Sequence, residues 1–93
     1  MTTKPQKGRN LVTYSSTIVC KLYNTVVAVI HKDINTMQLS TGGYHTASTV
    51  KAINAAFKEA NVDAYAYRKN FLIRVTVNNT MYTLDKCYNT IKF

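Results

Sequence analysis

The chain has 93 residues, a length that fits one domain, and 46% of them are hydrophobic, which predicts a packed core. Twelve lysine and arginine residues against four aspartate and glutamate residues give a formal net charge of +8 at pH 7. This balance excludes an acidic mimic of DNA. So few carboxylates also argue against a nuclease that binds its metal through several of them.

The first ten residues are polar and contain Lys4, Lys7, Arg9 and the single proline of the chain. We interpret residues 1–10 as a flexible basic arm and residues 11–93 as a single domain. That domain keeps nine basic and four acidic side chains, a net charge of +5. The positive charge is therefore not confined to the arm.

Three strands are predicted before the pair Gly42-Gly43. Residues 14–23 and 26–32 are rich in β-branched side chains, and the polar pair Asn24-Thr25 between them predicts a hairpin. A two-residue turn there would pair Cys20 with Val29. A second turn at residues 33–36 and a short third strand at residues 37–39 follow.

A helix is predicted after Gly42-Gly43, with Thr46 or Ser48 as its N-cap and Asn61 as a left-handed C-cap. The helical period places four apolar residues in one core-facing stripe. They are Val50, Ile53, Phe57 and Ala60. Lys51 and Lys58 fall together on one flank of the same helix.

Three further strands are predicted in the C-terminal part, joined by turns at Lys69-Asn70 and Asn78-Asn79. The first turn would pair Tyr67 with Leu72 and Tyr65 with Arg74, and these four side chains would share one exposed face. Three strands, one helix and three strands make an α+β domain. We expect one antiparallel sheet with a central helix packed on one face.

Tyr65, Tyr67 and Arg74 on an exposed sheet face are typical of a surface on which nucleobases stack. Nearby cations would contact phosphates. The predicted phosphate contacts are Lys4, Lys7, Arg9, Lys51, Lys58, Arg68 and Lys69. A competing interpretation is that tyrosine is common in strands, and that these rings pack against a partner subunit or the terminal segment.

Other chemistry has weaker support. Gly42-Gly43 precedes a helix, but no P-loop or dinucleotide-binding pattern accompanies it, so we interpret the glycines as a sharp turn. His45 is the candidate for a small ribonuclease, our third hypothesis. Two histidines, His31 and His45, do not make a zinc site, and we expect no metal or other cofactor.

The cellular compartment is predicted from the absence of a membrane helix, a secretory signal and closely spaced cysteines. The longest apolar run, residues 26–30, is far shorter than the roughly 20 residues of a membrane helix, and no secretory signal begins the chain. Cys20 and Cys87, the two cysteines, are widely separated, which indicates reduced, buried thiols. We therefore expect a cytoplasmic protein with no membrane partner.

One segment resembles a known family. Residues 41–54 read TGGYHTASTVKAIN, which is similar to a motif T-G-G-aromatic-x-T-x-(S/T)-T in small, uncharacterised proteins of tailed bacteriophages. Residues 67–73 correspond to the Tyr-x-Lys turn and aromatic-rich strand that follow in those proteins. The resemblance implies a phage origin, and hence a host-cell cytoplasm, but no activity.

The leading hypothesis is a non-enzymatic, phage-type accessory protein that binds DNA or RNA. The alternative is a protein that inhibits or modulates a host polymerase, nuclease or defence enzyme, because a basic surface can meet an acidic partner. A homodimer formed by an edge strand at residues 14–23 is also open.

Overall fold

In the computed structural model of the protein, residues 9–43, 46–84 and 89–93 are described, except for the side chain of Arg9. The elements are β1 Arg9–Tyr14, β2 Thr17–Leu22, β3 Thr25–His31, β4 Thr36–Leu39, α1 Ala47–Ala60, β5 Ala64–Lys69, β6 Leu72–Val77, β7 Thr80–Thr83 and β8 Asn89–Lys92. The first sheet has the strand order β1-β2-β3-β4-β8, the second sheet has the order β5-β6-β7, and all pairs are antiparallel.

The α+β class is confirmed, but four strands precede the helix and four follow it, in two sheets rather than one. Residues 14–23 do not form one strand, because the chain turns at Ser15, whose φ is +52°. This turn has no glycine or Asn-Gly signal, so the sequence pattern missed it. Strand β1 begins at Arg9, inside the expected arm; residues 1–8 lie outside the described residues.

The β2–β3 turn also differs from the prediction by one residue. Tyr23 takes the positive φ, +55°, so Leu22 pairs with Thr25. A β-bulge in β3 then inserts Val27, and Cys20 faces Ala28 rather than Val29. Because β2 is paired on both sides, β1 and β8 are the edge strands of the first sheet within the described residues, so Tyr14 is the one residue of the range 14–23 that lies in an edge strand.

The helix joins the two sheets, since it contacts β2 and β3 of the first sheet and β5 of the second. Thr46 is its N-cap, accepting a hydrogen bond from the Thr49 amide at 3.3 Å, and Asn61 is its left-handed C-cap. Ile53 and Phe57 are fully buried, whereas Val50 is only half-buried. The Sγ of Cys20, a buried thiol, donates to the carbonyl of Ala52 at 3.3 Å.

In the second sheet the β6–β7 hairpin has the predicted register, with both turn residues, Asn78 and Asn79, at positive φ. The β5–β6 turn lies at Asn70-Phe71 instead of Lys69-Asn70, and both of its residues have positive φ. The register therefore moves by two residues. A shift by two leaves every side chain on its predicted face.

The register change has a packing reason. It pairs Ala64 with Val77 and Ala66 with Val75, so small residues of β5 stand beside the buried valines of β6. This leaves room for the helix against β5. Within the described residues, no helix is long and apolar enough to cross a bilayer, and α1 itself has 14 residues.

Candidate nucleic-acid interface

The outward side of the second sheet forms a continuous surface, because side chains alternate along each strand and neighbouring strands are in register. We call this surface the tyrosine face. Its residues are Tyr65, Tyr67, Lys69, Leu72, Arg74, Thr76, Met81 and Thr83. The opposite side of the same strands carries the buried residues Ala66, Ile73, Val75 and Val77. None of the residues of the tyrosine face is acidic.

Tyr67 lies across the middle of this face. It stands directly opposite Arg74 on the neighbouring strand, and its hydroxyl donates to the Sδ of Met81 on β7 at 2.8 Å. Strands β5 and β7 are separated by two strand spacings, about 10 Å. The ring must therefore lean over β6 to reach Met81, which fixes its position on the sheet.

Tyr65 continues the aromatic surface along β5. Its ring centroid lies 5.7 Å from that of Tyr67, with the planes inclined by 36°. Tyr65 is 57% exposed and Tyr67 is partly buried, so the two rings form one tilted platform that solvent reaches. Such a pair is stabilised by contact between the rings while each keeps area for a further aromatic group.

Arg74 lies in the middle strand, between Tyr67 on β5 and Thr83 on β7. Its Nε is the one buried side-chain nitrogen or oxygen in the described part of the chain that has no hydrogen-bond partner. Unsatisfied buried donors are uncommon, and a binding surface is one place where they occur. Among the described residues of this face there is no carboxylate to neutralise the guanidinium.

Asn54 attaches the helix to the open edge of β5. Its amide Nδ2 donates to the carbonyl of Ala66 at 3.0 Å, and its Oδ1 accepts from the Ala66 amide at 2.7 Å. The Asn54 side chain thus makes the two hydrogen bonds with the Ala66 backbone that a neighbouring strand would otherwise make. Lys51 and Lys58 are exposed on the same flank of the helix as Asn54.

The structure brings together some of the predicted residues and separates others. Tyr65, Tyr67 and Arg74 share the tyrosine face, as the alternation predicts, and Lys69, which was predicted in the turn, joins them at the end of β5. Arg68 is exposed but points to the opposite side of β5, because neighbouring residues of a strand face opposite ways. Arg9 belongs to β1 of the other sheet. Lys4 and Lys7 lie outside the described residues.

Sequence reasoning missed the parts that Asn54, Met81 and Phe71 play. Phe71 is 85% exposed in the β5–β6 turn, next to Leu72 of the tyrosine face. Met81 was placed on the correct face by alternation, but nothing in the pattern marked it as the partner of Tyr67. An asparagine in the middle of a helix was the available signal for Asn54, because this residue is a poor helix former.

A cavity of about 530 Å³ lies at the N-terminus of the helix. Its floor includes Leu22 and Val27, and its rim is rich in hydroxyl groups. Those groups bond within the protein: Thr46 with Thr49 at 3.1 Å, and Thr41 with the Gly43 amide at 3.0 Å. The hydroxyls therefore stabilise the turn into the helix.

The structure supports the turn interpretation of the glycine pair. Gly42 has a φ of +63°, and a Cβ there would lie 2.4 Å from the Cγ2 of Thr25, so a side chain does not fit. His45 lies outside the described residues. His31 is partly buried, with its Nδ1 3.3 Å from the Thr17 hydroxyl.

No group of three or more His, Cys, Asp or Glu side chains that could hold a metal ion occurs among the described residues. In the comparisons with known proteins, no family model, no curated protein and no solved structure matches the chain. The tyrosine face is therefore interpreted from its own chemistry.

Proposed function

We propose that this chain is a non-enzymatic, phage-type accessory protein that binds nucleic acid through the tyrosine face. The observation that carries the proposal is the group formed by Tyr65, Tyr67, Lys69 and Arg74 on one sheet surface, where none of the described, paired strand residues is a carboxylate. Aromatic rings stack on bases of any identity, and the cations attract phosphates. Both interactions are independent of sequence.

The charge of the whole chain supports this assignment. A net charge of +8 attracts a polyanion from a distance and raises its concentration near the surface. The affinity should fall steeply with salt, because phosphate contacts release counterions. The loss of affinity on raising the salt concentration therefore reports how many lysine and arginine side chains contact phosphates.

The test is a titration of the protein into fluorescently labelled DNA and RNA at two salt concentrations. We expect binding at low salt that weakens at high salt, and that is reduced by Tyr65→Ala. The matched control is Tyr14→Ala, since Tyr14 is 62% exposed on the first sheet and Tyr65 is 57% exposed on the second. Absence of binding at low salt would remove the proposal.

A second candidate function is binding to a host protein as an inhibitor or modulator. Met81 is 56% exposed and Leu72 39%, so the face also offers apolar area, and Phe71 in the adjacent turn is 85% exposed. Aromatic residues, methionine and arginine are enriched at the centres of protein interfaces. A pull-down from nuclease-treated host lysate separates the candidates: a stoichiometric protein retained by the native chain and lost with Phe71→Ser favours this second function.

A further inference from the structure

We propose that the ligand of the tyrosine face is a single strand, with two successive unpaired bases on Tyr65 and Tyr67 and its backbone along the edge of β5 beside Lys51 and Lys58. This inference rests on the proposed function and specifies it. It names the form of nucleic acid, the path of the backbone and two lysines outside the tyrosine face.

The spacing of the rings favours unpaired bases. The two ring centroids are 5.7 Å apart, whereas successive bases of a duplex strand are about 3.4 Å apart. Bases that each stack on one ring must therefore separate from one another. A duplex keeps the faces of its bases covered by neighbouring pairs, so it could offer this surface only its phosphates.

The helix brings positive charge to the edge of β5. Three residues, 61–63, connect the end of α1 to the start of β5, so the chain reverses there. The paired hydrogen bonds between Asn54 and Ala66 then hold the helix against that edge. The helix consequently runs back along β5, and residues one turn on either side of Asn54 lie along the same strand.

The positions of Lys51 and Lys58 along the helix axis match those of the two tyrosines along β5. Lys58 lies about 6 Å beyond Asn54 along the helix axis, and Lys51 lies about 4.5 Å before it. One strand residue covers about 3.3 Å. Measured from Ala66, Lys58 is therefore level with Tyr65, and Lys51 is level with Tyr67, to within about one residue. Along the strand direction, each ring therefore has one lysine at about its level.

The lysines also point away from the core. At about 100° per residue, Lys58 and Lys51 lie roughly 40° and 60° from Asn54, on the side opposite Phe57. Both are exposed. The nearest carboxylate on the helix, Glu59, lies roughly 100° further round from Lys58. A phosphate backbone at the edge of β5 would thus meet these two cations, with the exposed carboxylate of Asp63 confined to the connection before the strand, and its bases would turn inward over the sheet.

Arg74 and Lys69 add positive charge to the tyrosine face itself. Arg74 stands opposite Tyr67 and has a buried Nε without a partner, while Lys69 is exposed at the end of β5. These cations are positioned to contact phosphates or ring faces rather than a defined set of base edges. We therefore expect little preference for base sequence.

The experiment compares a labelled oligothymidylate, an oligouridylate and a mixed-sequence DNA duplex of equal length. We expect both single strands to bind at least about tenfold more tightly than the duplex, and Tyr65→Ala to weaken single-strand binding about tenfold. Oligonucleotides carrying 5-iodouracil should photo-crosslink to Tyr65 or Tyr67. Comparing the two single strands tells whether the 2′-hydroxyl matters.

The backbone path is tested by a charge-matched pair of variants. For Lys51→Gln with Lys58→Gln, the slope of log affinity against log salt should become shallower by about 1.4 for a single strand. For Lys21→Gln with Lys32→Gln the slope should not change, because these exposed lysines belong to the first sheet and its turn. Circular dichroism checks that all variants are folded.

The outcomes separate the two proposals. Equal affinity for duplex and single strand, or crosslinks that avoid both tyrosines, would overturn the single-strand inference while nucleic-acid binding stands. Equal salt slopes for the two lysine pairs would overturn the backbone path. No binding to any of the three probes at low salt would remove the proposed function itself, and the inference with it.

Discussion

The outer surfaces of the two sheets are built from different side chains. At the centre of the first sheet, Val12, Val19 and Val29 stand side by side and are each half-buried. At the centre of the second sheet, Tyr67 stands beside Arg74, and Tyr65 is more than half exposed. Short β-branched side chains cover their own sheet, whereas the tyrosine rings extend over their sheet and present aromatic area to solvent. Two sheets on one core therefore differ in what they can bind.

Phe57→Ala should have the largest effect, because Phe57 is 2% exposed at the centre of the core that both sheets share. We expect the free energy of unfolding to fall by about 3–5 kcal/mol. Urea unfolding followed by circular dichroism and by tyrosine fluorescence measures it. Lys58→Ala, at the neighbouring exposed residue, is the control.

The two optical signals also test the common core. If one core supports both sheets, the transitions should coincide for the native chain. Separate midpoints would mean that parts of the molecule unfold independently, so that one core does not support both sheets.

Asn54→Ala should destabilise the protein by about 1–3 kcal/mol, because it leaves the Ala66 amide and carbonyl without their partner. Hydrogen exchange should show the Ala66 amide opening faster, with a smaller change in β2 and β3. Lys51→Ala, one turn away, should leave that exchange rate as it is. An unchanged exchange rate at Ala66 in Asn54→Ala would contradict the view that Asn54 holds the helix against β5.

Much of the local structure was predictable, because it depends on short-range chemistry. The helix limits follow from Thr46 and Asn61, whose side chain and backbone conformation satisfy helix ends. The Asn78-Asn79 hairpin follows from the tolerance of asparagine for positive φ. Alternation assigned the residues of the tyrosine face correctly except Lys69, which was predicted in the turn.

The missed features depend on contacts that the sequence does not show. The turn at Ser15 and the positive φ of Tyr23 lie at residues that seldom adopt that conformation, so tertiary packing decides them. The bulge at Val27 and the bonds of Asn54 to Ala66 join separate elements. Division into two sheets likewise depends on packing around the helix, which local patterns do not encode.

Tyr65→Ala should lower the free energy of unfolding by about 0.5–1 kcal/mol, because it removes one ring of the pair with Tyr67. Tyr14→Ala should cost about 0.5 kcal/mol or less, as expected for an exposed surface residue. Thermal unfolding of both variants measures the difference. A loss above about 2 kcal/mol for Tyr65→Ala would mean that the ring is structural, which would weaken its assignment to the binding surface.

Tyr67→Phe should have the smallest effect on stability, about 0.5 kcal/mol, since it removes only an exposed hydrogen bond to the Sδ of Met81. The ring remains, so its stacking area remains as well. If base stacking is what the tyrosine face provides, Tyr67→Phe should bind a single strand within about twofold of the native chain, because stacking depends on the ring and not on the hydroxyl. Tyr67→Ala should then lose the affinity that Tyr67→Phe keeps. Equal losses of affinity in Tyr67→Phe and Tyr67→Ala would mean that the hydroxyl, and not the ring, binds the strand. The difference between the valines of the first sheet and the aromatic rings of the second would then no longer explain where the ligand binds.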